Sequence, residues 1–93
     1  MNKNQRIDYA KYFIKAFKKV PFSIKIAFRD RLSIFINDPY SPILHNHELK
    51  GGLQGLRSIN VTGDWRALYR EYKESDKNVV VFELIGTHSQ LYR

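Results

Sequence analysis

Near the C-terminus stands Asn78-Val-Val-Val-Phe-Glu-Leu-Ile85, a nearly unbroken apolar run of β-branched and aromatic residues. It follows the polar stretch Lys73-Glu-Ser-Asp-Lys77 and ends at Gly86. Such a run reads as a central strand, which needs a partner on each edge and cover on its faces. Two partners precede it: Trp65 to Tyr72 across the Lys-Glu-Ser-Asp-Lys turn, and Leu56 to Val61 across Thr62-Gly63-Asp64. Arg6 to Ala10 is a further short strand candidate.

Cover for the sheet is written in the first half. Phe13, Ala16, Phe17 and Val20 recur at helical spacing between Tyr12 and Val20, with Lys15, Lys18 and Lys19 on the opposite side. Pro21 interrupts that helix, and a second is predicted from Phe22 to Asn37, burying Ile24, Phe28, Leu32, Phe35 and Ile36. Asp38 to Gly52, rich in Pro and Gly, reads as a loop. The order β-α-α-β-β-β predicts an α+β fold: an antiparallel sheet with an N-terminal helical hairpin packed on one face and the other face open.

At 93 residues, with 43% hydrophobic content, the chain is read as one domain spanning 1–93, too short for a separate cofactor domain. It contains no cysteine, which excludes thiolate metal sites and cysteine nucleophiles and suits a reducing cytoplasm. Met1 to Lys11 leads into no long apolar run, so the chain is expected to be soluble, uncleaved and cytoplasmic, without a membrane partner. Sixteen Lys and Arg against nine Asp and Glu leave a charge of +7. On so small a body that favours polyanions, nucleic acid first.

The residues able to move protons or hold phosphate cluster late. His45, His47 and His88 fall in loops or at strand ends. His45 and His47 are expected to point opposite ways, and His47, leading into the sheet, is the better candidate. Asp64 and Arg66 flank Trp65 and are expected to share a strand face, where they either form a surface ion pair or orient a hydroxyl and hold a phosphate. Trp65 then points to the core. His88 leaves the strongest strand, and Tyr92 follows four residues later, either packing on the sheet or stacking on a base. Lys50 and Arg57 add charge near the same edge. His-x-His with one distant His lacks a fourth ligand, so neither metal nor other cofactor is expected.

Together the order of elements, Phe13-Ile-Lys-Ala-Phe-Lys-Lys19, His47-Glu-Leu-Lys-Gly51, Gly63-Asp-Trp-Arg-Ala-Leu-Tyr-Arg70 and Gly86-Thr-His-Ser-Gln-Leu-Tyr92 resemble the RelE/ParE toxin superfamily, most of all its YafQ-like branch. The resemblance implies the toxin of a type II toxin–antitoxin module that cuts messenger RNA on the ribosome without metal, held in check by an acidic antitoxin protein. By position it implies catalytic roles for His47, Asp64, His88 and Tyr92, and for Arg66 the phosphate contact of RelE-like members. Asn60 stands where YafQ-like toxins carry another histidine, and Ser58 where they carry an aspartate.

For attack of an RNA 2′-hydroxyl on the adjacent phosphate, Asp64 or His47 is expected as base, His88 as acid, Arg66 with Arg57 as phosphate clamps, and Tyr92 as a stacking or orienting group. Lys50, Arg57 and Asn60 are read as RNA-binding. Two other functions use the same fold or charge: a ParE-like toxin that inhibits DNA gyrase by binding, and a basic RNA- or partner-binding domain without catalysis.

Overall fold

A computed structural model describes residues 5–92. The chain runs β1 (Gln5–Tyr9), α1 (Lys11–Phe17), α2 (Phe22–Asn37), a 3₁₀ turn (Pro42–Leu44), β2 (His47–Glu48), a second 3₁₀ turn (Gly51–Leu53), β3 (Arg57–Asn60), β4 (Trp65–Glu74), β5 (Lys77–Thr87) and α3 (His88–Leu91). The strands form one sheet in the order β1-β5-β4-β3-β2, with β5 inside it. The α+β class and the helical hairpin on one sheet face match the sequence expectation.

Three details differ. β1 pairs with β5 in parallel, Gln5 opposite Asn78 through Tyr9 opposite Phe82, while the remaining pairs are antiparallel. The meander β3-β4-β5 comes back to β1 from the far side, so β5 arrives running the same way. Inside the predicted loop, His47 and Glu48 pair with Ser58 and Arg57, adding a short outer strand. Helix α1 stops at Phe17 rather than Val20, because Pro21 disfavours helical backbone just before it.

The core explains the pattern of apolar residues. Phe82 of β5 stands at its centre, 5.3 Å from Phe28, 5.7 Å from Phe35, 5.6 Å from Tyr69 and 5.8 Å from Phe13 between ring centroids. Ile59, Ala67 and Tyr69 complete the helix-facing side of the sheet, and Trp65 packs against it as expected. Pairing shifts between Leu68 opposite Leu84 and Tyr69 opposite Phe82, so Glu83 is an extra residue in β5. This bulge lets Phe82 and Ile85, three apart, both reach the helical side.

Candidate active site

Strand pairing decides which side chains meet on the sheet face turned away from the helices. Directly opposed residues share a face, and successive residues along a strand switch sides. Ala67 and Tyr69 belong to the core, so Arg66 and Leu68 face away from it. Their partners follow: Ser58 opposite Leu68, His47 opposite Ser58, and Asn60 and Gly86 opposite Arg66. His47, Ser58, Asn60 and Arg66 therefore gather at one end of this face.

The chain end folds over the same place. Thr87 and Gln90 form a capping box: Gln90 N donates to Thr87 Oγ1 at 3.3 Å and Thr87 N to Gln90 Oε1 at 2.8 Å. That reciprocal pair starts the single turn of α3. Gly86 lets the turn lie close, since a Cβ there would stand 3.3 Å from Leu91 Cγ. The Tyr92 hydroxyl then donates to Ser58 Oγ at 2.9 Å, and Ser58 is fully buried. His88 meets the Tyr92 ring edge-on at 4.7 Å. His88 N also donates to Asp64 O at 2.9 Å, which places Asp64 beside His88.

Each polar group carries a distinct constraint. His47 Nδ1 lies 2.9 Å from the His45 carbonyl oxygen. A carbonyl only accepts, so in neutral His47 the proton sits on Nδ1 and Nε2 keeps its lone pair. Arg66 Nη1 donates to the carbonyls of Thr62, Gly63 and Trp65 at 3.1, 3.1 and 3.2 Å. Those bonds fix the guanidinium over the β3–β4 turn, and its Nε and Nη2 have no protein partner among the described residues. Asn60 Oδ1 is buried without a partner, as is Arg31 Nε in α2. An orphaned buried acceptor costs about 1–3 kcal/mol unless a water or ligand meets it.

Comparison with known proteins adds a frame to this geometry. No family profile matches the sequence, and no curated protein does. Among solved structures, YafQ from E. coli strain BL21(DE3) superposes with a TM-score of 0.71 at 25% identity, over 96% of this chain and 99% of that one. YafQ in the E. coli DinJ–YafQ toxin–antitoxin complex does so with a TM-score of 0.65 at 29% identity, over 97% and 99%. A YoeB/ParE toxin from Agrobacterium tumefaciens gives 0.71 over 89% and 98%, and at 14% identity it speaks for the fold alone.

The chain has a RelE/ParE-superfamily fold resembling YafQ.

His47, Asn60, Arg66, His88 and Tyr92 lie together on the face turned away from the helices, with Asp64 at its rim. Asp64 is exposed in the turn before β4 rather than on the strand, so it does not share a strand face with Arg66, and the two form no ion pair among the described residues. Arg57 is separated from Arg66 by the sheet: it is paired with Tyr69 on the helix-facing side. There its Nε donates to Asn46 Oδ1 at 2.9 Å and its guanidinium lies over the Tyr40 ring. A clamp of Arg66 with Arg57 is thus not assembled. His45 and His47 do not diverge. Residues two apart along an extended chain share a side, so divergence was the wrong expectation, and the two rings lie 5.0 Å apart with His45 at a left-handed φ of 46°.

Lys50 is exposed beside the second 3₁₀ turn, across a cleft from Tyr92. Two elements were missed in the sequence. Thr87-x-x-Gln90 has capping-box spacing and was readable as such. Asn46, which donates through Nδ2 to Tyr69 Oη and the Pro39 carbonyl, both at 2.8 Å, carries no local signal. Burial pushes the Tyr69 phenol up, and the Asn46 hydrogen bond partly opposes the shift.

Proposed function

We propose that the chain is the toxin of a toxin–antitoxin pair and cuts messenger RNA on the ribosome by metal-independent transesterification. The observation that carries this reading is the gathering of His47, Arg66 and His88 on one face, each with polar capacity directed away from the core. In the reaction the 2′-oxygen bonds to phosphorus, the bond to the 5′-oxygen breaks, and a cyclic phosphate and a 5′-hydroxyl result. His47 Nε2 or the nearby Asp64 carboxylate takes the 2′-proton, and His88 gives a proton to the leaving oxygen. Arg66, pinned by three carbonyls, presents its remaining N–H groups to the phosphate oxygens without having to be ordered first.

The antitoxin partner is an acidic protein. An apolar groove of about 400 Å³ between α1, α2 and β1, lined by Tyr9, Phe13, Ile14, Phe17, Phe28 and Leu32 with Lys18 and Arg29 at its rim, suits an amphipathic acidic segment. The deciding experiment adds the protein to a translating extract and maps new 5′ ends. Codon-phased cuts that vanish in His88→Ala support the proposal; blocked gyrase without cuts would select the ParE-like alternative.

A further inference from the structure

Asn46 stands between the two loop histidines, and its side chain turns the other way from His47. It reaches the helix-facing side of the sheet, where Nδ2 donates to the Tyr69 hydroxyl and to the Pro39 carbonyl, both at 2.8 Å, and Oδ1 accepts from Arg57 Nε at 2.9 Å. A carbonyl cannot donate and a guanidinium cannot accept, so the amide has a single orientation. The three anchors come from separate parts of the fold. Tyr69 of β4 is 1% exposed in the core, Arg57 belongs to β3, and Pro39 follows the end of α2.

The same short segment sets the ring of His47. The His45 carbonyl that meets His47 Nδ1 at 2.9 Å belongs to the peptide group joining His45 to Asn46. His45 itself holds a left-handed φ of 46°, a strained backbone for a residue with a side chain, and such strain lasts only where the neighbours hold it. One neighbour is Leu44, fully buried, and the other is Asn46 with its three bonds. We infer that Asn46 is a positioning residue for His47: its amide, gripped on the reverse side of the sheet, aims the His45 carbonyl at Nδ1 and leaves Nε2 as the nitrogen with the lone pair. The inference rests on the reading of His47 as a base for RNA cutting and adds to it what keeps that base in its reactive tautomer. Which ring nitrogen carries the proton is set by the bond the other one makes.

The test reads the His47 tautomer by nitrogen NMR in the full chain with isotope-labelled histidine, at a pH where the rings are neutral. The wild type should carry the proton on Nδ1. Asn46→Ala should move the balance toward Nε2–H by roughly threefold to tenfold, the worth of one hydrogen bond. Tyr69→Phe removes one of the three anchors from inside the core, where it cannot touch RNA, and should move the balance the same way by less. Val80→Ala, a cavity opposite Ile7 of β1, should lower the melting temperature and leave the tautomer alone. On programmed ribosomes Asn46→Ala should lower the maximal single-turnover rate at least about tenfold and leave the half-saturating concentration unchanged, because positioning acts on the reacting step and not on binding. An unmoved tautomer in Asn46→Ala and Tyr69→Phe would overturn the inference, and Tyr69→Phe carries the test if Asn46→Ala does not fold. An equal change in Val80→Ala would overturn it too, as would a moved tautomer with wild-type cutting. If the tautomer moves as expected but the wild type cuts no RNA, the RNA-cutting reading falls and the hold of Asn46 on His47 stands.

Discussion

At the β1 end of the sheet face turned away from the helices, cations are spent on their neighbours. Arg6 bonds Asp8 at 3.2 Å and Glu74 at 3.0 Å, and Arg70 bonds Glu83 at 3.0 Å. At the β2 end Arg66 touches only carbonyl oxygens among the described residues, which use some of its donors and supply no countercharge. His47 Nε2 also has no protein partner among the described residues. One surface thus has a finished half and an unfinished half. Paired charges have little left to offer a ligand, whereas held but uncompensated ones are ready for an anion.

The sharpest way to break this comparison is to remove a group from the unfinished half. His88→Ala should slow single-turnover cleavage on programmed ribosomes about 10²–10⁴-fold, and Arg66→Lys should also be damaged, since lysine keeps the charge and loses the planar fork. His45→Ala, which leaves the carbonyl that orients His47, should cost far less. Wild-type rates in both His88→Ala and Arg66→Lys would make the two halves equivalent.

Next comes the tether between the chain end and the sheet. Tyr92→Phe keeps the ring but strips Ser58 Oγ of its partner, an expected loss of about 1–3 kcal/mol, or roughly 4–8 °C in melting temperature for each kcal/mol. Adding Ser58→Ala should recover much of that loss, because removing both partners leaves no buried orphan. A Tyr92→Phe protein that melts with the wild type would mean the hydroxyl holds nothing.

Smaller effects belong to the finished half. Arg70→Ala should change stability by about 0–1 kcal/mol and leave cleavage intact, as exposed ion pairs do. The last effect is one of pH. Hydrogen bonding and charge from Arg6 lower the pKa of the Glu74 carboxyl below its ordinary value. A lowered carboxylate stabilises the fold above its unfolded pKa, and that help fades as pH falls through the folded value. In Arg6→Ala, Glu74 should titrate nearer the ordinary carboxylate range by NMR, and part of the acid-side fall in melting temperature should disappear. An unmoved Glu74 titration would show that the pair is not formed in solution.

Both halves were unevenly visible in the sequence. The helices and the β3-β4-β5 meander were legible because their signals are local: apolar spacing, a proline, short polar turns. The parallel sense of β1 was not, because it depends on how the far end of the chain returns. Nor could alternation assign the faces of β3. Ile59 is buried toward the helices and Ser58 under Tyr92, so both sides are covered and Arg57 could be placed on either. His45 misled for a different reason: residues two apart in an extended segment share a side, so its expected divergence from His47 did not follow from strand geometry. Tyr92 and His88 were found as candidates, yet their mutual contact depends on a one-turn helix too short to show periodicity.

The position of β5 has a consequence for how the molecule comes into being. Among the described strands it is synthesised after the others and lies between β1, made before them, and β4. Until it exists, β1 has no neighbour, the helical hairpin has no Phe82 to close around, and the surface that brings His88 to Arg66 does not exist. Contacts spanning nearly the whole sequence also make closure slow relative to helix formation. A nascent chain therefore carries its aromatic hairpin exposed until β5 is made and gains its candidate chemistry only when the sheet is sealed, so a partner that grips the hairpin early would meet the molecule before that site is assembled.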